Sequence, residues 1–134
     1  MLASESAPTA GAVILVVEDN HLILMSALDL IATAGYEGIA AANADEAIAI
    51  LERRADVQLV FTDIEMPGTI DGVKLAHYIR NRWPPIHLIV ASGKQVKEAS
   101  HLPAGARFFS KPYDNNSIIA EIAHMLASPP PPRH

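Results

Sequence analysis

The segment VILVVEDN, residues 13–20, decides how the rest of the chain is read. Its first five residues are apolar and mostly β-branched, and they run straight into Glu18, Asp19 and Asn20. A short, continuous apolar run suits a strand buried on both faces, as in a parallel sheet covered by helices on either side. Ending such a strand on two acids is costly, because ionised carboxylates resist desolvation and neighbours of like charge repel. Something positive is therefore expected to face Glu18 and Asp19.

Working outward, the apolar period changes repeatedly. HLILMSALDLIATAG (21–35) places Ile23, Leu24, Ala27, Leu28, Ile31 and Ala34 at helical spacing, with Gly35 set to stop the helix. YEGIAAA (36–42) is a weaker strand, and Asn43 followed by Glu46 is a capping-box-like start for the helix DEAIAILERRA. VQLVFTD (57–63) is a second buried strand that ends on an acid. DGVKLAHYIRNRW is a helix opened by Asp71 and closed before Pro84 and Pro85, and IHLIVAS (86–92) is a third buried strand. The polar stretch GKQVKEASHL is at best a short helix. ARFFS (106–110) is the last strand, and DNNSIIAEIAHMLA the last helix, capped by Asp114. Strands alternating with helices predict an α/β, doubly wound, five-stranded parallel sheet with helices on both faces.

Composition narrows the classes. With 134 residues there is room for one domain: a lead-in over 1–10, a folded body over 11–128 and a Pro-rich tail over 129–134. A net charge of −5 argues against nucleic acid or an anionic membrane as partner. The absence of cysteine excludes disulfides, thiolate metal sites and cysteine nucleophiles. With no signal-peptide pattern and no apolar run near membrane-span length, a cytoplasmic protein, monomeric or weakly dimeric, is expected.

In an open parallel sheet, ligands bind at the carboxyl ends of the strands. The first strand delivers Glu18 and Asp19 there, VQLVFTD delivers Asp63, IHLIVAS delivers Ser92, and the loop after the last strand delivers Lys111. Oxygen-rich, thiolate-free ground of this kind suits a hard divalent cation, Mg²⁺ first. The same inventory suits an aspartyl phosphate, with Mg²⁺ and Lys111 around its oxygens and the Ser92 hydroxyl as a donor. Taken singly, each residue has a plainer reading. Glu18 and Asp19 fit the N-terminus of a helix, Ser92 a loop, Lys111 a solvated surface and Phe108 the core. Tyr113 fits surface packing or a partner contact. The six histidines lack metal-ligand spacing and fit the surface or helices, and the methionines fit the core.

Taken together, LVVEDN, FTDIEMPG with its following DG, Ser92, and SKPY resemble, in this order, the receiver domain of two-component response regulators, over roughly residues 12–127. The resemblance implies the CheY-like, flavodoxin-like fold with strand order 2-1-3-4-5. It implies Asp63 as phosphoacceptor, with Asp19 and Asp63 ligating Mg²⁺ directly, Glu18 through water and Glu65 through its backbone carbonyl. Ser92 takes the place of the switch hydroxyl, Lys111 that of the phosphoryl-contacting lysine, and Phe108 that of the aromatic that rotates on activation. A cis Lys111–Pro112 bond is also implied.

There are departures. MPGTIDG has one residue more before its Asp-Gly than the commonest receiver pattern, Gly93 stands where most relatives have Ala, and the 92–105 segment is about two residues short. The ending GARFFSKPY resembles that of stand-alone regulators. The expected function is thus a single-domain response regulator, not an enzyme, phosphorylated on Asp63 by a sensor histidine kinase. Its output is a downstream protein target, a relay to a His-containing phosphotransfer protein, or a phosphate sink. The alternatives are an unphosphorylated scaffold and a Mg²⁺-dependent phosphatase. The phosphatase lacks room for a substrate-covering cap and has Glu65 where such enzymes carry a second Asp.

Overall fold

The computed structural model describes residues 11–65, 71–93 and 101–127. The elements run β1 (Val13–Val17), α1 (His21–Thr33), β2 (Glu37–Ala41), α2 (Ala44–Arg53), β3 (Val57–Asp63), α3 (Gly72–Arg82), β4 (His87–Ser92), β5 (Arg107–Ser110) and α4 (Asn115–Leu126). All neighbouring strands pair in parallel, in the order β2-β1-β3-β4-β5. The expected lead-in over 1–10, the extra residue within 66–70, the doubtful helix within 94–100 and the tail over 129–134 lie outside the described residues.

Local chemistry explains the boundaries. Asn20, Asn43, Asp71 and Asp114 each accept a hydrogen bond from the backbone N–H three residues on, which satisfies an otherwise orphaned amide of the first helical turn. Glu46 departs from the usual capping box, since its carboxylate accepts from the Ala42 amide rather than from Asn43. Gly35 has φ +97°, a left-handed conformation that glycine adopts without a Cβ clash, and α1 ends there.

Alternation along the central strands builds two apolar layers. Leu15, Val17, Val60, Leu88 and Val90 pack with Ala47 and Leu51 of α2 and Leu75 and Ile79 of α3. Ile14, Val16, Leu59, Phe61 and Ile89 pack with Leu24 and Ile31 of α1 and Ile118 and Ile122 of α4. The helices therefore cover both faces, and β1, β3 and β4 are the buried middle of the sheet. Two readings of single residues change. His87 opens β4 and is half-buried rather than on a helix or the open surface, and Met25 is 50% exposed on α1 instead of in the core.

Candidate functional site

The carboxyl ends of β1, β3 and β4 meet the loop after β5. Glu18 continues β1, its amide donating to the Ala41 carbonyl of β2 at 3.0 Å. Its own Oε2 accepts from the Asn20 amide at 3.1 Å. Asn20, not Glu18 or Asp19, caps α1, so the capping reading of those two acids falls away. Asp63 closes β3. The turn after it is held by the Ile64 amide donating to Ala91 and the Gly72 amide donating to Ile64, both at 2.9 Å. Gly72 is required there. A Cβ on it would lie 2.2 Å from the Asp63 carbonyl oxygen.

Lys111 is aligned by its amide, which donates to the Ser92 carbonyl at 2.9 Å. The Lys111–Pro112 bond that follows is cis. The ammonium lies 3.0 Å from Asp63 Oδ2 and 3.8 Å from Glu18 Oε1. Glu18, Asp19 and Asp63 each present a carboxylate oxygen within 4.8 Å of the others. Asp63 Oδ1 is buried and has no hydrogen-bond partner among the described residues.

Electrostatically the site is short of positive charge. Burial pushes the Glu18 carboxyl above the ordinary carboxylate range, and Asp63 and Asp19 add to the push while Lys111 opposes it. Burial likewise raises Asp63, and the Lys111 hydrogen bond and charge bring it only partly back. Burial pulls Lys111 down, but Asp63 and Glu18 together leave it raised. When both acids and their cation all favour the proton, one ammonium is too little for the carboxylates around it. An orphaned buried oxygen and a converging all-oxygen donor set fit a Mg²⁺ ion.

Ser92, fully buried, ends β4, and its hydroxyl donates to Glu65 Oε2. The Gly93 amide donates to Glu65 Oε1 at 3.4 Å. Phe108 lies opposite Val90 and Ser110 opposite Ser92, so Phe108 shares the Ser92 face of the sheet one step back, half-buried on the α2–α3 layer. Tyr113 is half-buried with its ring tilted against Phe61 at 5.7 Å. Beside the site, Leu22, Ile23, Ser26, Lys111, Pro112 and Tyr113 line a shallow groove, and Leu22 is 79% exposed.

Reading the sequence missed three contacts here: the Glu65 carboxylate on Ser92, the packing of Gly72 on the Asp63 backbone, and Arg80. Arg80 is buried and donates to the carbonyls of Ala104, Pro84 and Ile86, tying α3 to the segment that leads into β5. The Asp-Gly pair at 71–72 was the available signal for Gly72. Nothing local marks Arg80 as buried, because its partners are backbone carbonyls.

A doubly wound parallel sheet with an acidic strand-end cluster faced by a lysine defines a class of phosphoryl-handling signalling domains. The chain belongs to the response regulator receiver domain family, whose model matches residues 14–123. It is 32% identical over 124 residues to the response regulator protein FleR of Pseudomonas aeruginosa, covering 90% of this chain and 26% of that protein. The chain thus spans about a quarter of that relative. A CheY-like receiver domain protein from Methanospirillum hungatei superposes with a TM-score of 0.81 at 27% identity, covering 88% of this chain and 95% of that one. The response regulator TrrA of Thermotoga maritima, solved with Mg²⁺ and BeF, shares the fold with a TM-score of 0.74 at 24% identity, over 84% of this chain and 97% of that one.

Proposed function

We propose that Asp63 accepts a phosphoryl group from a phosphohistidine of a sensor kinase, in a Mg²⁺-dependent reaction, and that the chain signals through the protein surface this alters. The observation that carries this reading is the Lys111 ammonium 3.0 Å from Asp63 inside a cluster of three carboxylates. A carboxylate oxygen of Asp63 bonds to phosphorus as the P–N bond breaks. The electron pair stays on the departing imidazole nitrogen, which takes up a proton, and Asp63 becomes an acyl phosphate. Lys111 balances the phosphoryl oxygens, and the Ser92 hydroxyl supplies a donor from β4.

Asp19 and Asp63 would hold Mg²⁺ directly, Glu18 through water and Glu65 through its carbonyl. Bound there, the ion supplies the positive charge that Lys111 alone does not. The exposed Leu22 and Ile23 beside the site offer the apolar contact that a kinase needs to bring its phosphohistidine to Asp63. Ser92 and Phe108, on one face of the sheet, would carry the change toward the segment leading into β5.

The test is incubation with acetyl phosphate and Mg²⁺, read by intact mass and peptide mapping. A single adduct on Asp63, absent in Asp63→Asn, is expected. No adduct in the wild-type chain would leave the scaffold reading, and continuous turnover of varied phosphate esters the phosphatase reading.

A further inference from the structure

We infer that Glu65 is a positioning residue whose carboxylate, in the unmodified chain, takes the hydrogen-bonding place that a phosphoryl group on Asp63 would occupy, so that it must release Ser92 before the switch forms. This rests on the reading of Asp63 as phosphoacceptor and concerns what opposes that modification.

Two donors at the end of β4 converge on one carboxylate. The Ser92 hydroxyl donates to Glu65 Oε2 and the Gly93 amide to Glu65 Oε1. Two donors side by side suit any anion with paired oxygens, a carboxylate or a phosphoryl group alike. Ser92 is fully buried, and its hydroxyl has a single proton to give. It serves Glu65 or a phosphoryl oxygen, not both. Glu65 follows Asp63 by two residues in an unbroken backbone, so its main chain stays at the site while its side chain alone reaches across to β4.

The exchange has a built-in direction. Phosphorylation adds roughly one and a half to two negative charges at Asp63 and presents stronger acceptors than a carboxylate. Glu65 is only half-buried, so a repelled carboxylate can swing into water without being stranded. In the unmodified chain the same contact holds Ser92 away from the conformation that the phosphoryl group demands. Glu65 therefore raises the threshold for switching, and removing it lowers that threshold. A plain loop tether would do the opposite, because its loss would loosen the loop and weaken the site.

Amide NMR on the full chain separates the two. In Glu65→Ala, with no phosphoryl mimic, the Gly93 amide resonance should move toward its position in the wild-type chain holding Mg²⁺ and beryllofluoride. The apparent affinity for beryllofluoride at fixed Mg²⁺ should rise about tenfold, the scale of a lost charge-assisted hydrogen bond. Glu65→Gln, of the same shape and without the charge, should fall between, and serves if the alanine variant does not fold. An unmoved Gly93 amide, or unchanged or weaker beryllofluoride binding in both variants, would overturn the inference. A wild-type chain that takes neither beryllofluoride nor acetyl phosphate would overturn the Asp63 reading itself.

Discussion

The two ends of the central strands carry charged groups in opposite circumstances. At the amino ends, Arg54 forks onto Asp56 at 3.0 and 2.7 Å and reaches Glu37 at 3.7 Å, while Arg82 meets Glu52 at 3.4 Å. Each of these groups is well solvated, and two arginines serve three carboxylates. At the carboxyl ends, Glu18 and Asp63 are each 6% exposed and share Lys111 with Asp19 nearby. The first arrangement costs little and contributes little, since water screens it. The second keeps buried anions in surplus, a standing cost that folding alone gives no reason to retain. The same residue types form solvated pairs at one end and a buried anionic cluster at the other, and burial without charge balance makes the difference.

Breaking that contrast most completely should be Asp63→Asn. It is expected to abolish the acetyl phosphate adduct altogether. It should also raise metal-free stability by about 1 kcal/mol in urea unfolding, since one desolvated negative charge is gone while the amide oxygen can still meet Lys111. A less stable variant would mean that the site is not electrostatically burdened.

The pH dependence follows with its sign. Glu18 and Asp63 are both raised by burial, so the folded state binds their protons more tightly than the unfolded chain does. Their contribution to stability is complete below the ordinary carboxylate pKa, about 4. It is lost as pH rises through the raised values. Wild-type stability without metal, compared with Asp63→Asn at each pH, should therefore fall from mildly acidic to neutral pH, and added Mg²⁺ should remove most of that fall. A difference between the two that is flat across this window would count against the buried surplus.

Gly72→Ala attacks the geometry instead of the charge. The new Cβ would meet the Asp63 backbone, so a destabilisation of roughly 1–3 kcal/mol is expected, with amide shift changes centred on Asp63 and Ile64. Asp19→Asn should weaken Mg²⁺ binding about tenfold, as an exposed member of the carboxylate set carries only part of the attraction. Affinity unchanged in an NMR titration would remove Asp19 from the ligands. At the other pole, Arg54→Ala should leave the thermal midpoint unchanged within error, because its partners sit in water. A clear loss there would erase the contrast between the two ends.

Most of this contrast was legible in residue order. Runs such as VILVV and VQLVFTD suit buried strands, and Glu18 and Asp19, taken with Asp63 and Lys111, fit the place where parallel strands end together better than a helix cap. Strand order came with the motif set. What resisted reading depended on side chains crossing between elements. Glu65 reads as a neighbour of Asp63 along the chain, yet its carboxylate is spent on Ser92, which stands on β4. Arg80 carries no local mark of burial, yet it donates to carbonyls from two other segments. His87 reads as surface, yet the first residue of a central strand is shielded by its neighbours, and burial lowers its pKa. Such contacts have no periodicity to betray them.

The order in which the site's parts are synthesised has a consequence for folding on the ribosome. Glu18 and Asp19 emerge first, Asp63 next and Lys111 last of the four. Every strand pair is parallel, so each of these groups reaches the others only after a crossover connection has closed. At roughly 5–20 residues per second, the acids wait several seconds for their cation. The full set of carboxylates with their lysine therefore exists only once β5 has docked.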